Sequence, residues 1–485
     1  MGVTHAFTLD TQYKDSRSGA APKLRQHVAI YAQGASTATY STDKIQPTGA
    51  AEVGAAYGYG SPMHLIAKVL WPRFAASIEG CDVTFHPLED GTTAAAGDIT
   101  PGGTQSSVGE YQLKAGGEVS DVFVIPADSS VADVCDILTA AGAAALDLPI
   151  TVTDSDTKVT TTSKWKGASA NDIVVEVVVI TDGGMTFAIT QPTGGAGNPD
   201  VDDALGQVGE TWESMLLNAF EFDDAVTLGK FSVWGEGRWN KNTHKPAVVF
   251  TGNTQTTPAD AYAVSDARPT DRVNAYLMAP GSKQLPCVAA AAQLKKIAER
   301  ASAAPPRGYL KMVCPEAIPG SDADSWDYTK RELAGGKGCS NSLTVDGVLK
   351  CGDVFTFYKP TGELPPAYRK VVHIVRLQNT LHAIDLKLGS DEWASAPLLP
   401  NGQPTDEPSA KYPNDAVGDC MGVVETLGLN AILADTATTK KLITASISGD
   451  DADELTLKIP VKLSSNTDKI AGVLEYGFNF NTDAG

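Results

Sequence analysis

No apolar run in this 485-residue chain approaches the ~18 residues needed to cross a bilayer as a helix. Basic residues are few: 38 Lys and Arg stand against 58 Asp and Glu, for a formal charge of −20. Phosphate contacts need Lys and Arg, so a general nucleic-acid binder is excluded. The seven cysteines (Cys81, Cys135, Cys287, Cys314, Cys339, Cys351, Cys420) are odd in number and form no CxxC pair. That excludes a disulfide framework or zinc ribbon, and they read as small buried hydrophobes in a reducing compartment. The start, Met1-Gly2-Val3-Thr4-His5-Ala6, has no basic or hydrophobic leader region, and Ala at position 6 breaks the myristoylation pattern. The expectation is a product made and kept in a cytoplasm.

Catalytic signatures are missing too. Gly335-Gly336-Lys337-Gly338-Cys339-Ser340 lacks the GK[ST] ending that puts a lysine and a hydroxyl on phosphate and magnesium, and reads as a Gly-rich turn after a helix. Gly195-Ala196-Gly197 and Gly235-Glu236-Gly237 lack the third glycine of GxGxxG. Gly58-Tyr59-Gly60-Ser61 is not the GxSxG elbow. The histidines contain no HExxH. Asp154-Ser155-Asp156 and Asp450-Asp451-Ala452-Asp453-Glu454 lack EF-hand spacing and read as solvated turns. A Ser/His/Asp triad is assembled across space and is not decided by sequence. No cofactor, metal or catalytic residue is assigned.

What the chain does have is uneven charge and a change of pattern. Residues 91–202 hold four basic residues against fifteen acidic ones, over half the net charge in under a quarter of the length. This acidic stretch is Gly/Thr/Ala-rich, with short β segments at Asp121–Ile125, Ile150–Thr153, Ile173–Ile180 and Met185–Thr190. The last two flank Asp182-Gly183-Gly184, which predicts a hairpin. One helix is predicted over Val131–Ala145. On either side the pattern is α/β: strands at His27–Ala32, Val83–His86, Ala247–Thr251 and Val273–Leu277, and helices at Ser61–Trp71 (Ser61 as N-cap, Pro62 next), Asp203–Ala219, Asp224–Trp234 and around Leu294–Ala301. Alternating strands and helices predict a three-layer α/β domain with a β-rich domain inserted in one of its loops.

Further on, Val345–Tyr358 has hairpin character about Asp346-Gly347, and Ala367–Leu388 reads as a long helix carrying Arg369, Lys370 and Arg376. Glu454–Leu463 alternates, with Leu455, Leu457, Ile459, Val461 and Leu463 on one face and Pro460 unable to donate to a ladder. Both termini alternate as well. Val3, His5, Phe7 and Leu9 share one face; so do Leu474, Tyr476, Phe478 and Phe480, behind the polar run Ser464–Asp468. A strand on a tether can complete another chain's sheet. The termini differ in charge, +2 over residues 1–25 and −2 over 466–485, which favours correct pairing.

Several motifs, in order and spacing, are similar to those of contractile phage tail sheath proteins of the Mu-like branch. They are Tyr57-Gly58-Tyr59-Gly60-Ser61-Pro62-Met63 ahead of a helix, Lys166-Gly167-Ala168-Ser169-Ala170-Asn171-Asp172-Ile173, Gly194-Gly195-Ala196-Gly197-Asn198-Pro199-Asp200, Arg238-Trp239, and Val345-Asp346-Gly347 followed by Val354–Tyr358. The last stretch is more apolar than is common in that family. The resemblance implies a discontinuous α/β core (26–90 and 203–360), an inserted acidic β-rich outer domain (91–202), an α+β C-terminal assembly domain facing the tube (361–465), and linking arms at 1–25 and 466–485. It implies stacked hexameric rings of a homo-oligomer around a tail tube protein, with baseplate and tail terminator proteins as further partners. Neither direct nucleic-acid contact nor membrane insertion is implied. It places the protein in the virion tail, assembled in the host cytoplasm. Val3, Phe7, Leu9, Leu474, Tyr476, Phe478 and Phe480 would exchange strands with Leu455, Leu457, Ile459 and Val461 of neighbours, while Arg369, Lys370 and Arg376 would meet the tube. The rival readings are an α/β hydrolase with a β insertion, and a non-contractile structural or adhesin protein.

Overall fold

The computed structural model describes residues 22–362 and 368–467. Its centre is a parallel five-stranded sheet in the order Asn274–Met278, Val248–Asn253, Met215–Asn218, His27–Gln33, Asp82–Leu88. All seven residues of His27–Gln33 are buried, as are all four of Met215–Asn218. Strands covered on both faces read as continuous apolar runs. Successive side chains still divide between the faces. Val28, Ile30, Phe85, Leu217 and Phe250 share a core with helices Pro62–Leu70 and Pro286–Ala303. Ala29, Tyr31, Leu216 and Val249 face Phe231 of helix Ala225–Arg238 on the other side.

The helix starts follow local chemistry. Ser61 Oγ accepts from His64 N–H ahead of Pro62, and Asp224 accepts from Val226 and Thr227 N–H. Such caps are worth about 0.5–2 kcal/mol each. One predicted helix is corrected. Within Asp203–Ala219 only Asp202–Gly206 is helical, and Met215–Asn218 is a central strand. Three buried apolar residues and a buried asparagine carry no periodicity that separates strand from helix.

Between Leu88 and Val201 the chain builds two antiparallel four-stranded sheets. One orders Met185–Thr193, Ala94–Gly103, Val159–Lys166 and Ile150–Asp154. The other gathers Glu118–Val119, Phe123–Ile125 and Val175–Thr181 around Gly109–Ala115. The predicted hairpin across Asp182-Gly183-Gly184 does not form. Val175–Thr181 pairs with Gly109–Ala115, and Met185–Thr193 with Ala94–Gly103. The turn joins two sheets that meet face to face, as the Tyr111–Phe187 ring contact at 5.4 Å shows. Gly183 N–H goes to Tyr111 Oη instead of a hairpin partner.

This segment shares one continuous core with the parallel sheet. It is also fastened by polar contacts. Lys68 Nζ bridges Glu118 (2.6 Å) and Asp147 (2.7 Å), and Lys164 Nζ donates to the carbonyls of Tyr59 and Leu146. Gly60, at φ +81°, is required there, because a Cβ would lie 2.3 Å from Leu148 O.

C-terminal to the sheet, Ser342–Val345 and Val348–Cys351 form a hairpin about Asp346-Gly347, both at positive φ. The hairpin ends at Cys351. Val354–Tyr358 is not a regular strand and makes only single bridges, Thr356 to Ala275 and Phe355 to Lys370. The long helix runs Val371–Leu388, so Arg369 and Lys370 precede it, and Ala367 lies outside the described residues. Its first turns, Val371 to Val375, belong to the main core, whereas Ala383 joins a second cluster with Cys420, Val424, Leu427 and Leu433. The predicted strand over Glu454–Leu463 breaks at Pro460. Leu455–Lys458 pairs with Thr444–Ile447, and Lys462–Leu463 with Leu433–Ala434. Proline lacks the N–H that would carry one ladder through.

Candidate functional site

Ligands of open α/β sheets bind beyond the carboxyl ends of the strands, where the strand order reverses. Here that point lies between His27–Gln33 and Met215–Asn218. Two of the family-like motifs occupy it. Gln33 Nε2 donates to Lys166 O at 2.7 Å, and Lys166 N–H to Asp90 Oδ1 at 2.7 Å. Asn198 Oδ1 accepts from Ala168 N–H, while its amide donates to Glu221 (2.6 Å) and Asp224 (2.8 Å). Asn171 and Gly195 exchange two hydrogen bonds. Gly167 sits at φ +138°, and a Cβ there would crowd Gln33 and Asn198 at 3.2–3.3 Å. The motifs thus tie the neck of the insertion over the crevice.

What stays open beside the neck is an acidic cleft of about 530 Å³ lined by Asn198, Asp200, Glu221, Asp223, Asp224 and Lys230. Burial pushes the Asp172 carboxyl up to about 7, helped by the charges of Glu221 and Asp223. Burial also raises Glu221. Such a cleft repels phosphate. Among the described residues no group of three or more His, Cys, Asp or Glu is placed to hold a metal.

Two constellations have the composition of catalytic sites. Ser61, His64 and Asp147 converge, but Ser61 Oγ donates to Gly58 O and caps its helix, and His64 Nδ1 accepts from Gly60 N–H. His64 Nε2 is 4.0 Å from Asp147, and burial pushes the imidazole down to about 4. A hydroxyl committed to a cap has no general base on it. The second is His86, Glu213 and Tyr31, all sealed in the core: His86 Nε2 to Glu213 at 2.8 Å, Tyr31 Oη to Glu213 at 3.1 Å, the rings stacked at 4.4 Å. It holds a strand against its neighbours and meets no solvent. Lys337, in the Gly-rich turn, pairs with Asp266 at 3.0 Å.

The residues expected to assemble subunits fall in three groups. Val3, Phe7, Leu9, Leu474, Tyr476, Phe478 and Phe480 lie outside the described residues. Leu457, Ile459 and Val461 are half-buried and pack on the small C-terminal core, with Leu455 half-buried beside them. Leu455 and Leu457 lie in one two-stranded ribbon, while Ile459 and Val461 lie in the break before the next; each ribbon strand has an edge with no partner strand among the described residues. The third group departs from expectation. Arg376 is wholly buried and is not presented on an outer helix face. Its guanidinium donates to the carbonyls of Ser464 and Pro306 and to Asn466 Oδ1. Arg369 is half-buried; it donates to Gly335 O and lies over the Phe355 ring at 4.6 Å. Lys370 is the N-cap residue of the helix and is half-buried. Leu24 and Lys23, placed in the arm by sequence, are docked on the body, with Leu24 N–H on Asn379 Oδ1 at 2.9 Å. Sequence reading missed Asn379, Ser464 and Asn466. The polar run Arg376, Gln378, Asn379, Thr380 in an otherwise apolar helix was the available signal, but nothing in it told which side was buried.

No protein-family model matches the chain. A curated relative, the Mu-like prophage FluMu tail sheath protein of Haemophilus influenzae, is 22% identical over 337 residues, 68% of this chain. The match spans 65% of that relative, just under two thirds of its length. Among solved structures, the sheath tail protein of Listeria innocua overlays at a TM-score of 0.48 with 12% identity, covering 92% of this chain and 93% of that one. The sheath tail protein of Desulfitobacterium hafniense overlays at 0.48 with 14% identity, covering 95% and 96%. Both overlays are loose. The relatives carry structural names, not those of enzymes. In sequence, the chain is similar to a phage tail sheath protein of the Mu-like kind, as its motifs implied.

Proposed function

We propose that this chain is the structural subunit of a contractile tail sheath. It polymerises as stacked hexameric rings around a tail tube protein, ends on baseplate and terminator proteins, and shortens to drive the tube through a cell envelope. The observation that carries this reading is the sequence similarity over 337 residues to a tail sheath protein. The site supports it: the crevice where an α/β enzyme would hold substrate is filled by the neck of the insertion, and among the described residues the C-terminal ribbons have strand edges with no partner strand. Among the described residues no helix is long and apolar enough to cross a membrane.

The terminal segments would lay Val3, Phe7 and Leu9, or Leu474, Tyr476, Phe478 and Phe480, along ribbon edges of neighbouring subunits. Residues 91–202, with over half of the net negative charge, would face outward, and 361–465 would face the tube. Of the cationic residues assigned to that contact, Arg369 and Lys370 remain for it, since Arg376 is buried. No fuel is needed. An extended lattice held behind a kinetic barrier releases energy when subunits reach a contracted arrangement that buries more surface. Negative-stain microscopy of the purified protein tests the reading. Striated tubes are expected, and a chain that stays a compact monomer at every concentration sinks it.

A further inference from the structure

The two ends of the described chain are both held at neighbouring positions of helix Val371–Leu388. At the N-terminal root, Leu24 N–H donates to Asn379 Oδ1 at 2.9 Å, Gln26 N–H to Ser302 Oγ at 3.0 Å, and Lys23 Nζ to Ala303 O. At the C-terminal root, Arg376 donates to Ser464 O, Asn466 Oδ1 and Pro306 O, and Asn466 Nδ2 donates to Pro306 O at 3.0 Å. Arg376 and Asn379 are three apart on helix Val371–Leu388 and so share a face. Ser302, Ala303 and Pro306 lie together at the end of helix Pro286–Ala303. One pair of helix surfaces therefore grips both roots.

Both side chains are fully buried. Asn379 completes its amide by donating to Val375 O at 2.8 Å. A leucine would fill the place of Arg376 without removing a charge from water, which is costly unless the charge is well bonded. The planar guanidinium reaches three acceptors on two separate chain segments at once, a geometry a lysine does not reproduce. The three contacts give this arginine a role that filling space does not explain.

We propose that Arg376 and Asn379 form a clamp that fixes the roots of both terminal segments, Leu24 and Ser464–Asn466, on one turn of a single helix. They are positioning residues for assembly. This part of the inference rests on the sheath reading. A tethered strand meets its target at an effective concentration set by where and in what direction its tether begins. Fixing both roots sets that concentration for both arms.

The test uses the full-length chain with R376K, N379A and, as a control, I374V. Ile374 is a core residue one turn before Gln378 and touches neither root in the contacts above. Hydrogen exchange of the unassembled protein is read by mass spectrometry on peptides covering 22–27 and 462–467. N379A is expected to speed exchange in the first peptide by about tenfold, the effect of losing one ordinary hydrogen bond. R376K is expected to do the same in the second. I374V should change neither, whatever it does to the melting temperature. Both root variants should form tubes more slowly than I374V. Exchange no faster than in the control overturns the clamp. Faster exchange with tube growth equal to the control overturns its role in assembly. If the wild-type chain forms no tubes at all, the sheath reading fails while exchange still decides the clamp.

Discussion

Replacing Asp172 by Asn is expected to stabilise the protein at neutral and alkaline pH. Asp172 ends the short turn Ala168–Asp172 at the neck of the insertion, and its carboxyl is pushed up to about 7 by burial and by the like charges of Glu221 and Asp223. In the unfolded chain an aspartate titrates near ~4. Between those values the folded chain keeps a proton that the unfolded chain has released. The contribution of this group is therefore most favourable at acid pH and is lost as pH rises towards about 7. A shift of roughly three pK units at ~1.4 kcal/mol each sets an upper bound of about 4 kcal/mol, and relaxation around the charge brings the expected figure to about 2–4 kcal/mol. The amide of Asn has nearly the same shape and no charge to bury. Urea unfolding of wild type and D172N, from about pH 4 to about pH 8.5, measures the difference, in which the many other carboxylates cancel. The two proteins should nearly coincide at the acid end and diverge upward. A gap that does not change with pH, or a D172N protein less stable at the alkaline end, would refute the burial argument.

Other perturbations test other parts. Lys295 is wholly buried and donates to Val69 O, Ala76 O and Glu316 Oε1 (3.1, 2.6 and 2.8 Å), so K295M should cost about 3–5 kcal/mol in urea unfolding. Adding E316M should recover part of that by removing the stranded carboxylate, and a K295M protein as stable as wild type would mean that this buried pair contributes nothing. F478D, or deletion of 468–485, should leave the monomer's melting temperature unchanged and abolish tubes, while a clearly lowered melting temperature would mean that the segment pairs within its own chain. The seven cysteines are all buried and free, and burial pushes Cys287 up to about 12 and Cys81, Cys135 and Cys420 to about 11. A thiol reagent should therefore react slowly with the native protein and with all seven after unfolding. Cys314 and Cys351, with sulfurs 3.3 Å apart, are the pair to check for a cross-link.

Features decided within a few residues were legible in the sequence. Ser61-Pro62 and Asp224 start helices because a side-chain oxygen meets N–H groups two or three residues on. Asp346-Gly347 turns a hairpin because both residues tolerate positive φ. Features set by distant packing were not. Met215–Asn218 is a strand because it lies between two others. Asp182-Gly183-Gly184 turns the chain as expected, but the flanking segments find better partners in separate sheets. The site followed the same division. The glycines and asparagines at the neck stood out as motifs, although the closing of the crevice also depends on a contact from Gln33 to Lys166, 133 residues away. Arg376 was read as a surface cation because helical position alone does not tell which side meets a partner, and here the partner is the chain's own C-terminal root.

The shared seat of the two roots has a mechanical consequence. A pull applied to the two ends enters at Leu24 and leaves at Ser464, and these points are joined across a single turn of helix Val371–Leu388 through Asn379 and Arg376. Hydrogen bonds at the roots lie in series with the load, and the five-stranded sheet lies outside the path until they part. Tension would thus pass from Leu24 to Ser464 through one short shackle. The sheet, the insertion and the neck lie outside that short path.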